Sequence, residues 1–312
     1  MLDVLHGFFV IAVVIAVGYG ARRLDVVGPG SEKVMARLAI TVATPAVLFV
    51  SLSGSDVSRV FSGTVAVTVL TSLGIATLTA VVARVRWRMD RGDVVVSALS
   101  ASYVNANNLG IPIAAYVLGD TAVIAPVLLF QLGLMLPAAL LVLDHVGGNG
   151  AAVGPGSAAV RALRSVLSNP VTIASVAGLL VSGTGTRVPG FLLDPLTTLA
   201  GMAVPLALLA FGVSLVGAAV PGRGPDRGRL ATLTVTKLLV QSAVAYGLGR
   251  GALGLSGHSL LVVTVLAALP TAQNVLAAAL AHDRRAPLVR DTVAVTTVAS
   301  LPVILGIVLL LG

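Results

Sequence analysis

The chain has 312 residues, of which 57% are hydrophobic and 10% charged, with a mean hydropathy of +1.03. Soluble domains carry charged residues at about a quarter of positions, so a water-soluble globular protein is excluded and lipid is the expected solvent. The sequence has no cysteine, four histidines without a paired spacing and 4% aromatics. These exclude thiolate metal sites, argue against a histidine metal centre, and read the net charge of +8 as basic membrane loops, not a nucleic-acid surface.

Roughly 20 apolar residues cross the roughly 30 Å hydrocarbon layer as a helix. Ten segments meet that length, at 4–22, 34–53, 60–83, 94–118, 121–143, 168–184, 192–219, 229–250, 258–281 and 288–311. The first reads as a retained span and not a cleaved signal, because Asp3 leads it and Arg22 and Arg23 follow it. Basic residues collect on alternate connections: Arg22, Arg23, Lys33 and Arg37; Arg84, Arg86, Arg88 and Arg91; Arg161 and Arg164; Arg223, Arg227 and Arg229; Arg284, Arg285 and Arg290. Only Arg59, Arg187 and Arg250 lie on the others. Insertion holds Lys and Arg on the cytoplasmic side. The bias therefore predicts ten spans in the cell membrane with both termini outside. The Gly- and Pro-rich residues 151–167 read as a cytoplasmic linker between halves 1–150 and 168–312.

The halves share features at a constant offset. Pro45 and Pro205 are 160 apart, and Pro112 and Pro270 are 158 apart, each of the latter beside a cluster of amides. Five spans per half place the second half upside down, an inverted repeat of the kind from which many secondary transporters are built.

The fourth segment concentrates Asn105, Asn107, Asn108, Gly110 and Pro112, and the ninth holds Pro270, Thr271, Gln273 and Asn274. Proline removes an N–H, glycine permits positive φ and asparagine satisfies freed backbone groups, so both helices are expected to break, over 105–112 and 270–274. Unwound backbone inside a membrane survives only where it is buried or lines a cavity. Two such breaks crossing at mid-membrane make a dipolar site suited to an anion. Lys237 in the eighth segment costs roughly 2.5 to 3.5 kcal/mol to bury centrally. It reads as a counter-charge, as a tether between helices, or as a snorkelling side chain. Gln241, one turn later, and Gln131 in the fifth segment are further polar candidates. Gly247 to Gly251 fit close helix packing better than a nucleotide loop, and Asp120 and Asp194 sit where acids cap helices. Neither a Ser-His-acid set nor a phosphate-binding Gly-Lys loop is present, so an enzyme or an ATP-driven pump is not expected, and no cofactor is called for.

These residues resemble the auxin efflux carrier family, which includes plant PIN proteins and bacterial permeases often named for malate or malonate. Asn105 seven residues before the end of Gly110-Ile111-Pro112, Pro270-Thr271-Ala272 followed by Asn274, and Lys237-Leu238-Leu239 carry the resemblance, which spans nearly the whole chain. Asn107 and Asn108 depart from its small or apolar residues, and the proline that commonly follows the lysine is missing. The resemblance implies an all-α membrane protein with a bile-acid-symporter-like fold and a crossing of helices 4 and 9. Asn105 and Asn274 would then hold a substrate carboxylate. It further implies a scaffold of helices 1, 2, 6 and 7, a mobile unit of helices 3–5 and 8–10 working as an elevator, and a homodimer. The leading expectation is a secondary carrier exporting small organic anions. The alternatives are a sodium- or proton-coupled symporter of a polar solute, with Gln273 and Asn274 near the ion, and a receptor without flux.

Overall fold

The computed structural model describes residues 2–54, 63–146, 160, 167–216, 222 and 226–312. Most of the predicted linker 151–167, with Arg161 and Arg164, lies outside the described residues, as do Arg59 and Arg223. The described chain is helical: α1 (Leu2–Arg23), α2 (Ser31–Ser53), α3 (Gly63–Val85), α4 (Arg91–Ser102), α5 (Ala106–Leu118), α6 (Thr121–Leu143), α7 (Pro170–Thr184), α8 (Gly190–Ser214), α9 (227–252), α10 (Gly257–Ala267), α11 (Gln273–Ala281) and α12 (Ala286–Leu311). Among the described residues five of these, α2, α3, α6, α8 and α12, are long and apolar enough to cross a membrane. The fourth and ninth predicted segments are each two shorter helices. Asp120 caps α6 by accepting from the Ala122 N–H at 2.8 Å, whereas Asp194 lies inside α8 and caps nothing.

Contacts divide the chain into two compact units: Met1–Ser62, Ala106–Leu129 and Leu167–Ala219; and Gly63–Asn105, Phe130–Val166 and Val220–Gly312. In the first unit, α1 and α8 touch backbone to backbone. A Cβ at Gly212 would collide with the Ile15 carbonyl oxygen, and one at Gly18 with that of Leu209. Small residues let helices approach this closely in lipid, where dispersion and not the hydrophobic effect drives association. Gly178 of α7 lies equally close to Phe49 and Leu52 of α2. Leu48, Leu52, Ile111, Ile113, Ile124 and Leu208 fill the interior of this unit.

The second unit packs Val96, Leu99, Tyr103, Phe130, Val275 and Val289 into one core and Ile75, Met89, Leu230 and Leu288 into another. Gly249 of α9 meets Leu260 and Val263 of α10, the close packing expected of that glycine run. At one end of the unit, ion pairs tie three turns together: Arg284 to Asp90 at 3.0 Å, Arg285 to Asp93 at 2.7 Å and to Asp226 at 3.5 Å. Arg285 adopts a left-handed φ of 45° just ahead of α12. The hydrogen bond to Asp93 is the main cause holding its guanidinium pKa above the ordinary value, with the charges of Asp226 and Asp90 adding to it.

Candidate substrate site at a crossing of two interrupted helices

Helix α4 ends at Ser102 and the chain turns extended at Tyr103, with φ −88° and ψ 111°, before α5 begins at Ala106. Helix α10 ends at Ala267 and α11 begins at Gln273. The two gaps pair with each other. Val104 and Thr271 form an antiparallel bridge; the Asn105 N–H donates to the Pro270 carbonyl at 2.7 Å, and the Ala272 N–H to the Tyr103 carbonyl at 3.3 Å. Backbone groups released by one break are thus satisfied by the other, the requirement lipid imposes on non-helical chain.

The first break lies earlier than the sequence suggests. Gly110 is helical, with φ −63°, so its freedom at positive φ is unused. Pro112 sits in the middle of α5, directly after the wide π-type turn 106–110, and does not interrupt the helix. Asn107 and Asn108 belong to the wide π-type turn 106–110 that opens α5. Pro112 and Pro270, matched by offset, therefore occupy different places: the former follows its break, while the latter lies within it.

An interrupted helix leaves carbonyls at its end without partners. Gln241 donates from Nε2 to the Ser102 carbonyl at 3.1 Å, closing the end of α4. Lys237 donates from Nζ to the Ala267 carbonyl at 3.0 Å, closing the end of α10, and to Gln241 Oε1 at 2.6 Å. One turn of α9 thus caps both helices. Lys237 is fully buried, which corrects the snorkelling reading: the ammonium faces inward and ties three helices.

Thr271 donates from Oγ1 to the Ser100 carbonyl at 2.6 Å, and its backbone N–H donates to Thr296 Oγ1 at 3.1 Å. The Gln131 carboxamide, oriented so that both its groups are satisfied, donates to the Val104 carbonyl at 2.9 Å and accepts from the Val104 N–H at 2.8 Å. Gln131 and Lys237 both sit in wide π-type turns, a local irregularity frequent at functional positions.

The second unit therefore brings together Asn105, Gln131, Lys237, Pro270, Thr271, Gln273 and Asn274. Asn105 is buried, Asn274 half-buried and Gln273 exposed. Tyr103, buried in the break, hydrogen-bonds the Asn274 side chain and so links the first gap to the start of α11. Sequence reasoning misses this residue, which stands just ahead of the amide cluster; the available signal is that a buried tyrosine hydroxyl needs a partner. Asn107, Asn108, Gly110 and Pro112 belong to the first unit. There Thr44 Oγ1 donates to Asn107 Oδ1, and Asn107 Nδ2 to Asn108 Oδ1, both at 2.8 Å.

Interrupted helices whose extended strands pair inside an apolar helical protein define a membrane transport architecture. Residues 3–149 and 157–308 match the family described as membrane transport protein. The chain belongs to that family, the auxin efflux carrier family its motifs resemble, and is a multi-pass membrane transporter. It is also 26% identical over 298 residues, 93% of each chain, to a protein of Methanothermobacter thermautotrophicus described as an uncharacterized transporter.

Proposed function

We propose that the protein is a secondary carrier that exports small organic anions, carboxylates of the auxin or malate kind, across the cytoplasmic membrane. In this reading ten spans form a 5+5 inverted repeat with both termini outside. Spans 1, 2, 6 and 7 form a scaffold, spans 3–5 and 8–10 move as an elevator, and two copies associate as a homodimer.

The observation that carries the reading is the polarity of the crossing. The carbonyl ends of α4 and α10 are capped by Gln241 and Lys237, so their partial negative charge is turned away from any ligand. The helix that follows the second gap begins at Gln273, and helix starts present N–H groups and partial positive charge. That polarity favours an anion. Asn105 in the first gap and Asn274 at the start of α11 suit a carboxylate as hydrogen-bond donors.

Flux of labelled organic acids in proteoliposomes tests the assignment. Asn105→Ala and Asn274→Ala are expected to lose most transport, and wild-type rates in both would end it. The sodium-coupled alternative needs oxygen ligands around an ion. At the ends of α4 and α10 those oxygens are taken by Gln241 and Lys237, so flux is expected to be unchanged when choline replaces sodium.

A further inference from the structure

The first unit carries a cleft that the crossing does not use. It has a volume of about 560 Å³ and lies among the end of α2, the end of α7 and the start of α8. Val50, Val181 and Leu193 supply apolar wall, while Ser53, Thr186 and Arg187 supply a polar side. Arg187 lies in the short α7–α8 connection, just past Gly185, whose φ of 65° closes α7. An arginine one turn beyond an apolar helix end stands at the level of the lipid headgroups.

Three observations point to one class of ligand. The Arg187 guanidinium is exposed at the edge of the cleft, and no carboxylate among the described residues pairs with it. The cleft is amphiphilic, with hydroxyls beside the arginine and branched aliphatic residues lining the rest. Leu180 and Leu192, next in sequence to the walls at Val181 and Leu193, are exposed large apolar residues of the kind that face acyl chains. A soluble anion would use only the polar side; a phospholipid uses both.

We infer that this cleft binds an anionic phospholipid, its headgroup phosphate on Arg187 and one acyl chain against Val50, Val181 and Leu193. The site is separate from the substrate reading and stands or falls without it.

Native mass spectrometry of the full-length protein, delipidated and then supplied with phosphatidylglycerol or phosphatidylcholine, tests the site. The wild type is expected to retain phosphatidylglycerol in preference to phosphatidylcholine. Arg187→Gln, an exposed change that leaves the fold intact, is expected to weaken phosphatidylglycerol retention about tenfold, the loss of one charge-assisted hydrogen bond. Leu193→Trp, which narrows the apolar wall, is expected to weaken it as well. Equal retention of both lipids, or no change in Arg187→Gln, overturns the proposal. Displacement of the lipid by glycerol phosphate at equal concentration assigns the cleft to a soluble anion and also overturns it. Adducts confined to monomers and absent from dimers make the cleft an interface between copies, which overturns it too.

Discussion

The polar groups around the gaps fall into two sets. Lys237, Gln241, Gln131 and Thr271 are buried, and each spends its hydrogen bonds on backbone or on one another. Gln273 is exposed and Asn274 half-buried. The difference follows from solvent. A buried donor or acceptor left unmade costs about 1–3 kcal/mol, so a gap in a helix inside lipid is stable only when nearby side chains are committed to it. Groups so committed cannot also exchange partners with a passing substrate. The buried set therefore holds the crossing together.

The sharpest challenge to this division is Gln241→Ala. It leaves the Lys237 ammonium with one acceptor fewer and the Ser102 carbonyl without its cap, and we expect about 3 kcal/mol of lost stability in a detergent unfolding series. Replacing both members, Lys237→Met with Gln241→Leu, removes the buried charge along with its partner and is expected to recover part of that loss. A double variant less stable than Gln241→Ala would show that the pair is more than a cap. Next in size, Thr271→Val keeps the side-chain shape but deletes the bond to Ser100, for an expected loss of about 1–2 kcal/mol in the same series.

On the other side of the division, Gln273→Ala is expected to leave the melting temperature unchanged. Organic-acid flux should fall about tenfold, the worth of one hydrogen bond to a charged group. A melting temperature that falls with the flux would move Gln273 into the structural set. The smallest effect is expected far from the gaps. Arg285→Gln breaks the pair with Asp93, which is partly open to water, and should cost at most about 1 kcal/mol. The pKa of Arg285 is raised on folding, so its contribution is fully present below the ordinary arginine value and is lost only as pH rises past it. Stability measured across the neutral range should show the same deficit at every pH.

The amides and prolines announce both interruptions, yet the first falls several residues ahead of where they point. Pro112 and Gly110 are unusual residues for a helix, but the wide π-type turn 106–110 stands just before the proline, and α5 absorbs both. The residues that do leave the helix, Tyr103 and Val104, look like ordinary membrane span. They are extended because Thr271 pairs with Val104 and Gln131 satisfies both of its backbone groups. The second interruption falls where the sequence puts it, at Pro270 and Thr271, because there the proline is part of the gap. Lys237 is legible as unusual but not as a cap, since nothing along α9 reveals which carbonyl it faces.

Composition alone determined that the protein lives in lipid, and the fourth, eighth and ninth segment motifs alone determined its family, because both are written in the order and chemistry of neighbouring residues. Where the helices stop, and which polar side chains serve the backbone, only the tertiary structure decided. The carbonyl that Gln241 caps is 139 residues away and the one Thr271 caps is 171 away. An orphan group at a helix end in lipid can be satisfied only by whatever the fold brings to it.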